Sequence, residues 1–392
     1  MNNGMQSRGR LAAVLLAVAL LGLGFAGGYL WRGMAPARYQ LLDEAHTLLA
    51  EHYLDPLPEP LVVQRGMIRG MLQEVGDPFT LYVEPAAHEL ESGNLAGEYG
   101  GIGVFLTLDQ EGRVHLVPAS DGPAARAGVQ EGDILAEIDG DSLENGASLE
   151  EVGAALRGPA GTEVILTLIS AQADSAQRSV TVVREVIPLP SVTGYLLPDD
   201  PSIGVIALTS FSERTPNELE AAYADLVGRG AARFILDLRA NSGGLLDSGI
   251  EVARFFLETG IIVIERGRAG ADQVYRANRA GEAAEVPLAV VVDGATASAA
   301  EIVAAALQAN GRASLVGTPT FGKGSVQLIF ELSDGSSLHV TSARWLTPVE
   351  AQIDGTGLTP DVWVDPGAAA QGTDPFLLAA ASRLGPLGSL IP

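Results

Sequence analysis

The fold of this chain is decided by the stretch Leu288-Ala-Val-Val-Val-Asp-Gly-Ala-Thr-Ala-Ser-Ala-Ala-Glu-Ile302. A valine-rich apolar run is followed by small residues, and then by a helical pattern that continues through Ala309 and closes at Gly311. This order predicts a buried strand, a tight turn and a helix. Ser298 would lie near the helix start, where free N–H groups and the helix dipole favour negative charge. That position suits a nucleophile whose attack generates an oxyanion.

Lysine is used once in this chain. Lysine and arginine together number 24, and Lys323 is the only lysine. An arginine stays protonated and cannot act as a base, whereas a lysine that is desolvated in a protein site can become a neutral amine. The sequence therefore predicts an amine that can lose its proton at position 323.

The residue inventory makes other catalytic pairs less favoured. The chain has no cysteine, its five histidines lie far along the chain from Ser298, and neither Gly-x-Ser-x-Gly nor His-Glu-x-x-His occurs. A distant histidine stays open as the base. A further alternative is that Ser298 only caps a helix and that Lys323 is a surface lysine in a turn.

Two motifs resemble the signatures of the C-terminal processing peptidases, also called tail-specific proteases. They are Thr296-Ala-Ser-Ala-Ala-Glu-Ile302 and Gly317-Thr-Pro-Thr-Phe-Gly-Lys-Gly-Ser-Val-Gln327. The resemblance implies a Ser/Lys pair with Ser298 as nucleophile and Lys323 as general base. It also implies that Gln327 orients the amine and that Glu301, one helical turn after the serine, belongs to the catalytic site.

A third motif, Leu236-Asp-Leu-Arg-Ala-Asn-Ser-Gly-Gly-Leu-Leu246, also resembles the family, although Ser242 stands where family members often have proline. Strands that alternate with helices around this motif predict an α/β layered core with a largely parallel sheet. We expect Gly243 and Gly244 to present backbone N–H groups to the oxyanion, with the Ala299 N–H as second donor. The alternative is that turn geometry alone requires these glycines.

The catalytic domain is expected at residues 186–366. Turn residues at Ser333-Asp-Gly-Ser336, between two strand patterns, predict a β-hairpin after Lys323. The C-terminal tail, residues 367–392, is rich in Gly, Ala and Pro. Its one short helical pattern, Pro375 to Arg383, predicts a peripheral helix followed by a loose end.

Residues 98–185 resemble a PDZ domain. The helix, turn and strand of that fold are matched by Gly122-Pro-Ala-Ala-Arg-Ala-Gly-Val129 and by Glu131-Gly-Asp-Ile-Leu-Ala-Glu-Ile-Asp-Gly140, and its carboxylate-binding loop is matched by Gly101, Ile102, Gly103 and Val104. The resemblance implies that an extended protein or peptide substrate adds to a sheet edge and that clustered N–H groups bind its C-terminal carboxylate. The alternative is that the glycines merely turn a strand.

Three segments precede the PDZ region. Residues 11–31 are uncharged and largely apolar and follow Arg8 and Arg10. Roughly 20 apolar residues span a bilayer, and leading basic residues favour a cytoplasmic position for residues 1–10. We expect a transmembrane helix in the cell membrane and an extracytoplasmic catalytic part. The alternative is a cleaved signal sequence, which would give a secreted or periplasmic protein.

Residues 38–95 show the apolar spacing of helices, and the proline of Asp77-Pro78-Phe79-Thr80 ends the pattern. This layout resembles the N-terminal helical region of the family. We expect a structural role for it.

Composition bears on several function classes. The net charge of −24 argues against nucleic acid as a partner, because phosphate contacts need a basic patch. The absence of cysteine excludes disulfides and a lipid-modified N-terminal cysteine. No metal, nucleotide or other cofactor is implied, and an oligomer stays open.

These observations predict an exported serine endopeptidase that cleaves proteins near their C-terminal tails and whose PDZ domain gates activity. An alternative from another class is a non-catalytic PDZ scaffold that presents exported proteins to other enzymes. A regulatory version, in which the enzyme cleaves one membrane-bound signalling partner, rests on the anchor beside a PDZ domain.

Overall fold

The computed structural model describes residues 39–385, except 144–146, 171–176, 269, 271 and 368–372. The chain divides into two compact units, Met1–Gly70 and Met71–Pro392. The described helices are α1 Gln40–His52, α2 Pro60–Val75, α3 Pro85–Ala96, α4 Pro123–Arg126, α5 Leu149–Leu156, α6 Thr215–Gly228, α7 Leu246–Phe256, α8 Ala299–Ala309 and α9 Pro375–Leu384.

The described strands are β1 Leu81–Val83, β2 Glu98–Gly101, β3 Val104–Leu108, β4 Val114–Pro118, β5 Asp133–Ile138, β6 Asp141–Ser142, β7 Glu163–Ile169, β8 Gln177–Val183, β9 Glu185–Pro188, β10 Val192–Leu197, β11 Asp200–Leu208, β12 Arg233–Asp237, β13 Gly260–Gly267, β14 Asp272–Ala277, β15 Leu288–Val292, β16 Ser314–Gly317, β17 Ser325–Glu331, β18 Ser337–Leu346 and β19 Val362–Trp363. Helix α1 forms where leucines recur at helix spacing. Pro60 occupies the first position of α2, where the N–H that a proline lacks would have no partner within the helix.

A six-stranded sheet organises the second unit. Its strand order is β10-β11-β12-β15-β16-β19, and all neighbours are parallel except β10, which is antiparallel to β11. Every residue of β12 and β15 is buried, which explains why β15 is apolar without alternation. The predicted α/β layered core with a largely parallel sheet is confirmed.

Successive residues of β15 point to opposite faces of this sheet. Val290 and Val292 belong to a core cluster with helices α6, α7 and α8, whereas Ala289 and Val291 pack in a second cluster with α9. The expectation of a peripheral C-terminal helix is therefore wrong. Helix α9 buries Phe376, Leu377, Ala380 and Leu384 against the second face of the sheet, which would otherwise be exposed.

A five-stranded antiparallel sheet carries the segment after Lys323. Strands β17 and β18 form the predicted hairpin, and β18 also pairs with β13 and with β1. Strand β1 follows the Asp77–Thr80 turn and is a non-helical element within the helical region expected at residues 38–95. It is three residues long, too short to show a strand period, and it forms through pairing of Tyr82 with Leu338 and of its neighbours along β18.

The PDZ region forms a separate sheet with the order β3-β4-β5-β7-β8, in which β3 is an edge strand. Its chain enters through β2 and leaves through β9, and these two strands pair antiparallel. Arg184, which is buried, donates hydrogen bonds to the carbonyls of Leu156, Ala155 and Glu163 and so holds the end of α5.

Among the described residues, no helix is both long enough and apolar enough to cross a membrane. Residues 1–10 and the span expected at 11–31 lie outside the described residues.

Candidate active site

Ser298 lies at the junction between β15 and α8 in an unusual backbone conformation. Its φ of 56° and ψ of −120° fall outside the regions that most non-glycine residues adopt. Such a conformation costs on the order of 1–3 kcal/mol and persists only where the surroundings impose it. The Ser298 N–H donates to Glu301 Oε2 at 3.0 Å, and the Ile302 N–H donates to the Ser298 carbonyl at 3.0 Å.

Glu301 is fully buried, and its carboxylate joins two loops. Oε1 accepts hydrogen bonds from the Thr320 hydroxyl at 2.5 Å and from the Gly322 N–H at 2.8 Å. Oε2 accepts from the Ser298 N–H and, at 2.9 Å, from the Lys323 N–H. One carboxylate therefore fixes the backbone of both Ser298 and Lys323.

Lys323 extends into a partly buried position beside Gln327. Its Nζ donates to Gln327 Oε1 at 2.9 Å and lies 5.3 Å from the centre of the Phe79 ring. Burial lowers the pKa of the Lys323 amine, and the negative charge of Glu91 acts in the opposite direction. Because burial is the larger effect, the neutral amine forms at a lower pH than in an exposed lysine.

Gln327 is held at its other end by the segment that precedes β1. Its Nε2 donates to the Phe79 carbonyl, and this bond fixes which end of the amide faces Lys323. Phe79 thus touches the lysine with its ring and the glutamine with its carbonyl. The sequence led us to expect a purely structural role for the Asp77–Thr80 turn, but Phe79 in this turn also contacts Lys323 and Gln327.

One cavity of about 660 Å³ contains most of the residues that the motifs single out. It is lined by Ser298, Lys323, Gln327, Gly243, Gly244 and Ala299, together with Glu91, Ile302, His339 and Trp345. Ser298 and Lys323 thus line the same cavity. Within the described part of the chain, however, the hydrogen bond of Nζ goes to Gln327, and none joins it to the Ser298 hydroxyl.

The glycine loop after β12 approaches Ser298 closely. Gly243 has a φ of 104°, and a Cβ at this position would lie 2.8 Å from the Ser298 Cβ. The Gly243 N–H already donates to Asn241 Oδ1 at 2.9 Å. Among the described residues, no hydrogen-bond acceptor is found for the N–H groups of Gly244 and Ala299.

Gly101, Ile102, Gly103 and Val104 lie together, but in a different cavity. This groove of about 270 Å³ runs between β3 and α5 and is also lined by Leu149, Gly153 and Leu156. Gly103 has a φ of 67°, a conformation that favours glycine. Because β3 is an edge strand, its outer backbone groups are available to an added strand.

The structure also brings residues to the site that carried no signal in the sequence. Glu91 on α3 and His339 on β18 line the cavity, and Glu91 Oε2 lies 3.1 Å from His339 Nε2. A glutamate on a polar helix and a histidine in a strand are too common to stand out in one sequence. Phe79 lies in a turn that the sequence revealed, but its contact with Gln327 could not be foreseen because the two residues are 248 positions apart in the chain.

Comparisons with known proteins decide the family. The sequence pattern described as peptidase family S41 matches residues 202–364, and that of the PDZ domain matches residues 116–170. The carboxy-terminal-processing protease of Bartonella bacilliformis is 37% identical over 314 residues, which cover 79% of this chain and 71% of that protein. The carboxyl-terminal-processing protease of Synechocystis sp. is 40% identical over 303 residues, which cover 76% and 70%.

The chain belongs to the C-terminal processing peptidases of family S41. The solved structure of a photosystem II D1 C-terminal processing protease agrees, with a TM-score of 0.50, 31% sequence identity, and coverage of 88% of this chain and 93% of that one. The resemblance seen in the sequence is confirmed, and this C-terminal processing peptidase is a serine-type enzyme.

The first prediction concerns the buried carboxylate of this peptidase. Glu301→Gln keeps the shape of the side chain but replaces one acceptor oxygen by a donor, so that two of its four donors lose their acceptor. We expect the free energy of unfolding to fall by about 2–5 kcal/mol and kcat/KM to fall at least about 100-fold. Urea unfolding and peptide hydrolysis measure the two effects. Glu220→Gln, an exposed position on α6, is the control, and equal behaviour of both variants would contradict this role.

The second prediction concerns the close approach of Gly243. Gly243→Ala places a methyl group against Ser298, and we expect kcat/KM to fall about 100-fold because the serine is displaced. The matched control is Gly230→Ala, whose φ of 98° imposes the same backbone strain but whose Cβ meets nothing within 4 Å. Steady-state kinetics of both variants test the point. A similar loss in the control would show that backbone strain, not contact with Ser298, causes the effect.

Proposed function

We propose that this chain is an exported serine endopeptidase in which Ser298 is the nucleophile and Lys323 the general base. The observation that best supports the proposal is a shared cavity. The sole lysine of the chain, with a pKa lowered by burial, lines the same cavity as a serine in a strained conformation at a helix start.

In the proposed first step, neutral Lys323 Nζ takes the proton of the Ser298 hydroxyl as its oxygen bonds to the scissile carbonyl carbon. The ammonium then returns this proton to the leaving amine. Nζ has to turn from Gln327 toward Ser298 for this step, and the flexible stem of a lysine permits the movement. Gln327, held by Phe79, keeps an acceptor beside the amine throughout.

The oxyanion is stabilised in this proposal by the N–H groups of Gly244 and Ala299. Both belong to residues that line the cavity beside Ser298, and neither bonds to another described residue, whereas the N–H of Gly243 is engaged by Asn241. In this proposal, the role of Gly243 is to let the loop pack closely against Ser298, because it has no Cβ. The loss of one such donor typically costs roughly 3 kcal/mol of transition-state stabilisation.

Substrate selection is assigned in this proposal to the groove between β3 and α5. An extended protein C-terminus would pair with the edge of β3, and the N–H groups of Ile102, Gly103 and Val104 would bind its carboxylate. Occupation of the groove would gate cleavage at Ser298.

Export is proposed from the N-terminal sequence. Residues 11–31 would anchor the chain in the membrane with residues 1–10 in the cytoplasm. One relative with a chloroplastic name, carboxyl-terminal-processing peptidase 2 of Arabidopsis thaliana, is 38% identical over 307 residues. We assign residues 38–95 to the helical region, 98–185 to the PDZ domain and 186–366 to the catalytic domain. Within the tail, 367–392, helix α9 belongs to the catalytic core.

The third prediction tests the two catalytic residues. Ser298→Ala and Lys323→Arg are each expected to lower cleavage about 10⁴-fold or more, because the first lacks the nucleophile and the second keeps the charge but not the base. The assay incubates the full chain in detergent with an unfolded protein that has an apolar C-terminus, and mass spectrometry identifies fragments. Ser382→Ala, an exposed position on α9, is the control. Full activity of Lys323→Arg would exclude lysine as the base, and absence of cleavage by the unsubstituted chain would favour a PDZ scaffold.

The fourth prediction concerns pH. The base is the unprotonated amine, so kcat/KM rises with pH through the Lys323 pKa and levels off above it. Because burial lowers this pKa, the midpoint of the rise is expected below 10.5, the ordinary value for lysine. The measurement is kcat/KM of the detergent-solubilised chain against pH. A midpoint at or above the ordinary value would contradict the proposed base.

A further inference from the structure

Proton transfer from Ser298 to Lys323 creates a positive charge inside the cavity. The Ser298 O–H bond breaks, a third N–H bond forms on Nζ, and the electron pair of the carbonyl moves to its oxygen. The cavity is partly shielded from water, so an ammonium formed there is poorly solvated. A fixed negative charge nearby would stabilise it, as preorganised charges do in active sites.

Glu301 is poorly suited to this task, because each of its carboxylate oxygens already accepts two hydrogen bonds from the surrounding loops. Glu91 is better placed. It lies on α3 and lines the cavity that also contains Lys323, and its side chain is 38% exposed. It interacts electrostatically with the Lys323 amine and favours its charged form.

His339 lies beside the Glu91 carboxylate. The imidazole on β18 is buried, with its Nε2 3.1 Å from Glu91 Oε2. Burial lowers the pKa of His339, Glu91 acts in the opposite direction, and His88 and Lys323 act in the same direction as burial. The imidazole therefore takes up a proton less readily than an exposed histidine and cancels less of the negative charge of Glu91.

We propose that Glu91 is the counter-charge for the ammonium that Lys323 becomes during catalysis, and that His339 positions the Glu91 carboxylate. Glu91 acts on the substrate only through Lys323. It is therefore a positioning residue. The proposal rests on the proposed Ser/Lys mechanism.

The titratable groups around Glu91 determine what its removal does. Lys323 faces it from the loop before β17, His339 faces it from β18, and His88 lies on α3 itself. Glu89, on the same helix, lines a different cavity together with Glu98 and Arg157. Removal of the Glu91 charge makes the Lys323 ammonium less stable, so the amine loses its proton at a lower pH.

The fifth prediction uses the fact that Lys323 is the only lysine. In the full chain labelled with ε-¹³C-lysine, one NMR signal reports the titration of its amine. For Glu91→Gln, we expect the midpoint of this titration and the midpoint of the rise of kcat/KM to move to lower pH. We also expect kcat on the high-pH plateau to fall about ten-fold, less than the loss of a direct oxyanion donor. Glu89→Gln is the matched control, and Glu91→Asp, which keeps the charge, should retain the unsubstituted midpoint.

The outcome separates this inference from a structural role. A structural defect lowers kcat without moving the lysine titration, and an unchanged or raised midpoint in Glu91→Gln would overturn the proposal. His339→Gln, which keeps a polar group beside Glu91, should move the midpoint of the lysine titration less than His339→Phe does. If Glu91→Gln does not fold, the comparison of these two histidine variants decides in its place.

The failure of this inference is distinguishable from that of the proposed mechanism. If Lys323→Arg is inactive while Glu91→Gln matches the unsubstituted enzyme in both titration and kcat, only the counter-charge is excluded. If Lys323→Arg is fully active, the mechanism fails and the counter-charge with it.

Discussion

The active site depends on one buried carboxylate. Glu301 accepts hydrogen bonds from the N–H of Ser298, which immediately precedes α8, and from the N–H of Lys323. It therefore links two loops that are also joined by the hydrogen bond from the Phe321 N–H to the Thr296 carbonyl. A buried carboxylate is costly unless its oxygens are fully hydrogen-bonded, and here four donors surround it. The same bonds that make the burial tolerable also hold Ser298 in a backbone conformation that it would not adopt alone. The same hydrogen bonds therefore stabilise the two loops and fix the geometry of Ser298.

The surroundings of the lysine come from parts of the chain that are far apart in sequence. Gln327 follows on β17, while the Phe79 carbonyl that orients Gln327 and the carboxylate of Glu91 precede the PDZ region. Strand β18 unites them, because it pairs with β17 along much of its length and with β1 at its start. The N-terminal segment of the second unit thus belongs physically to the sheet of the base. The Phe79 ring lies 5.3 Å from the Lys323 Nζ, whose pKa is lowered by burial.

The sequence predicts an element best where its turn residues and its apolar pattern indicate the same structure. The buried strand, turn and helix at 288–309 and the hairpin after Lys323 could be predicted, because glycine turns and apolar runs specify them without distant partners. Family motifs pointed to Ser298, Lys323, Gln327 and Glu301, which the structure places around two joined loops. Strand β1 and the packing of α9 could not be predicted, because pairing and burial against distant strands determine them. The engagement of the Gly243 N–H by Asn241 was equally inaccessible, since it depends on a side-chain rotamer.

The two-stranded connection formed by β2 and β9 bears on how such enzymes diversify. Gly97 and Leu189, which flank it, are joined by a backbone hydrogen bond of 2.8 Å, so the chain enters and leaves the PDZ region side by side. Each side of this connection is fixed by its own sheet contacts. A lobe with another binding preference could therefore replace this one, in nature or in a chimaera, without disturbing the register of any catalytic strand.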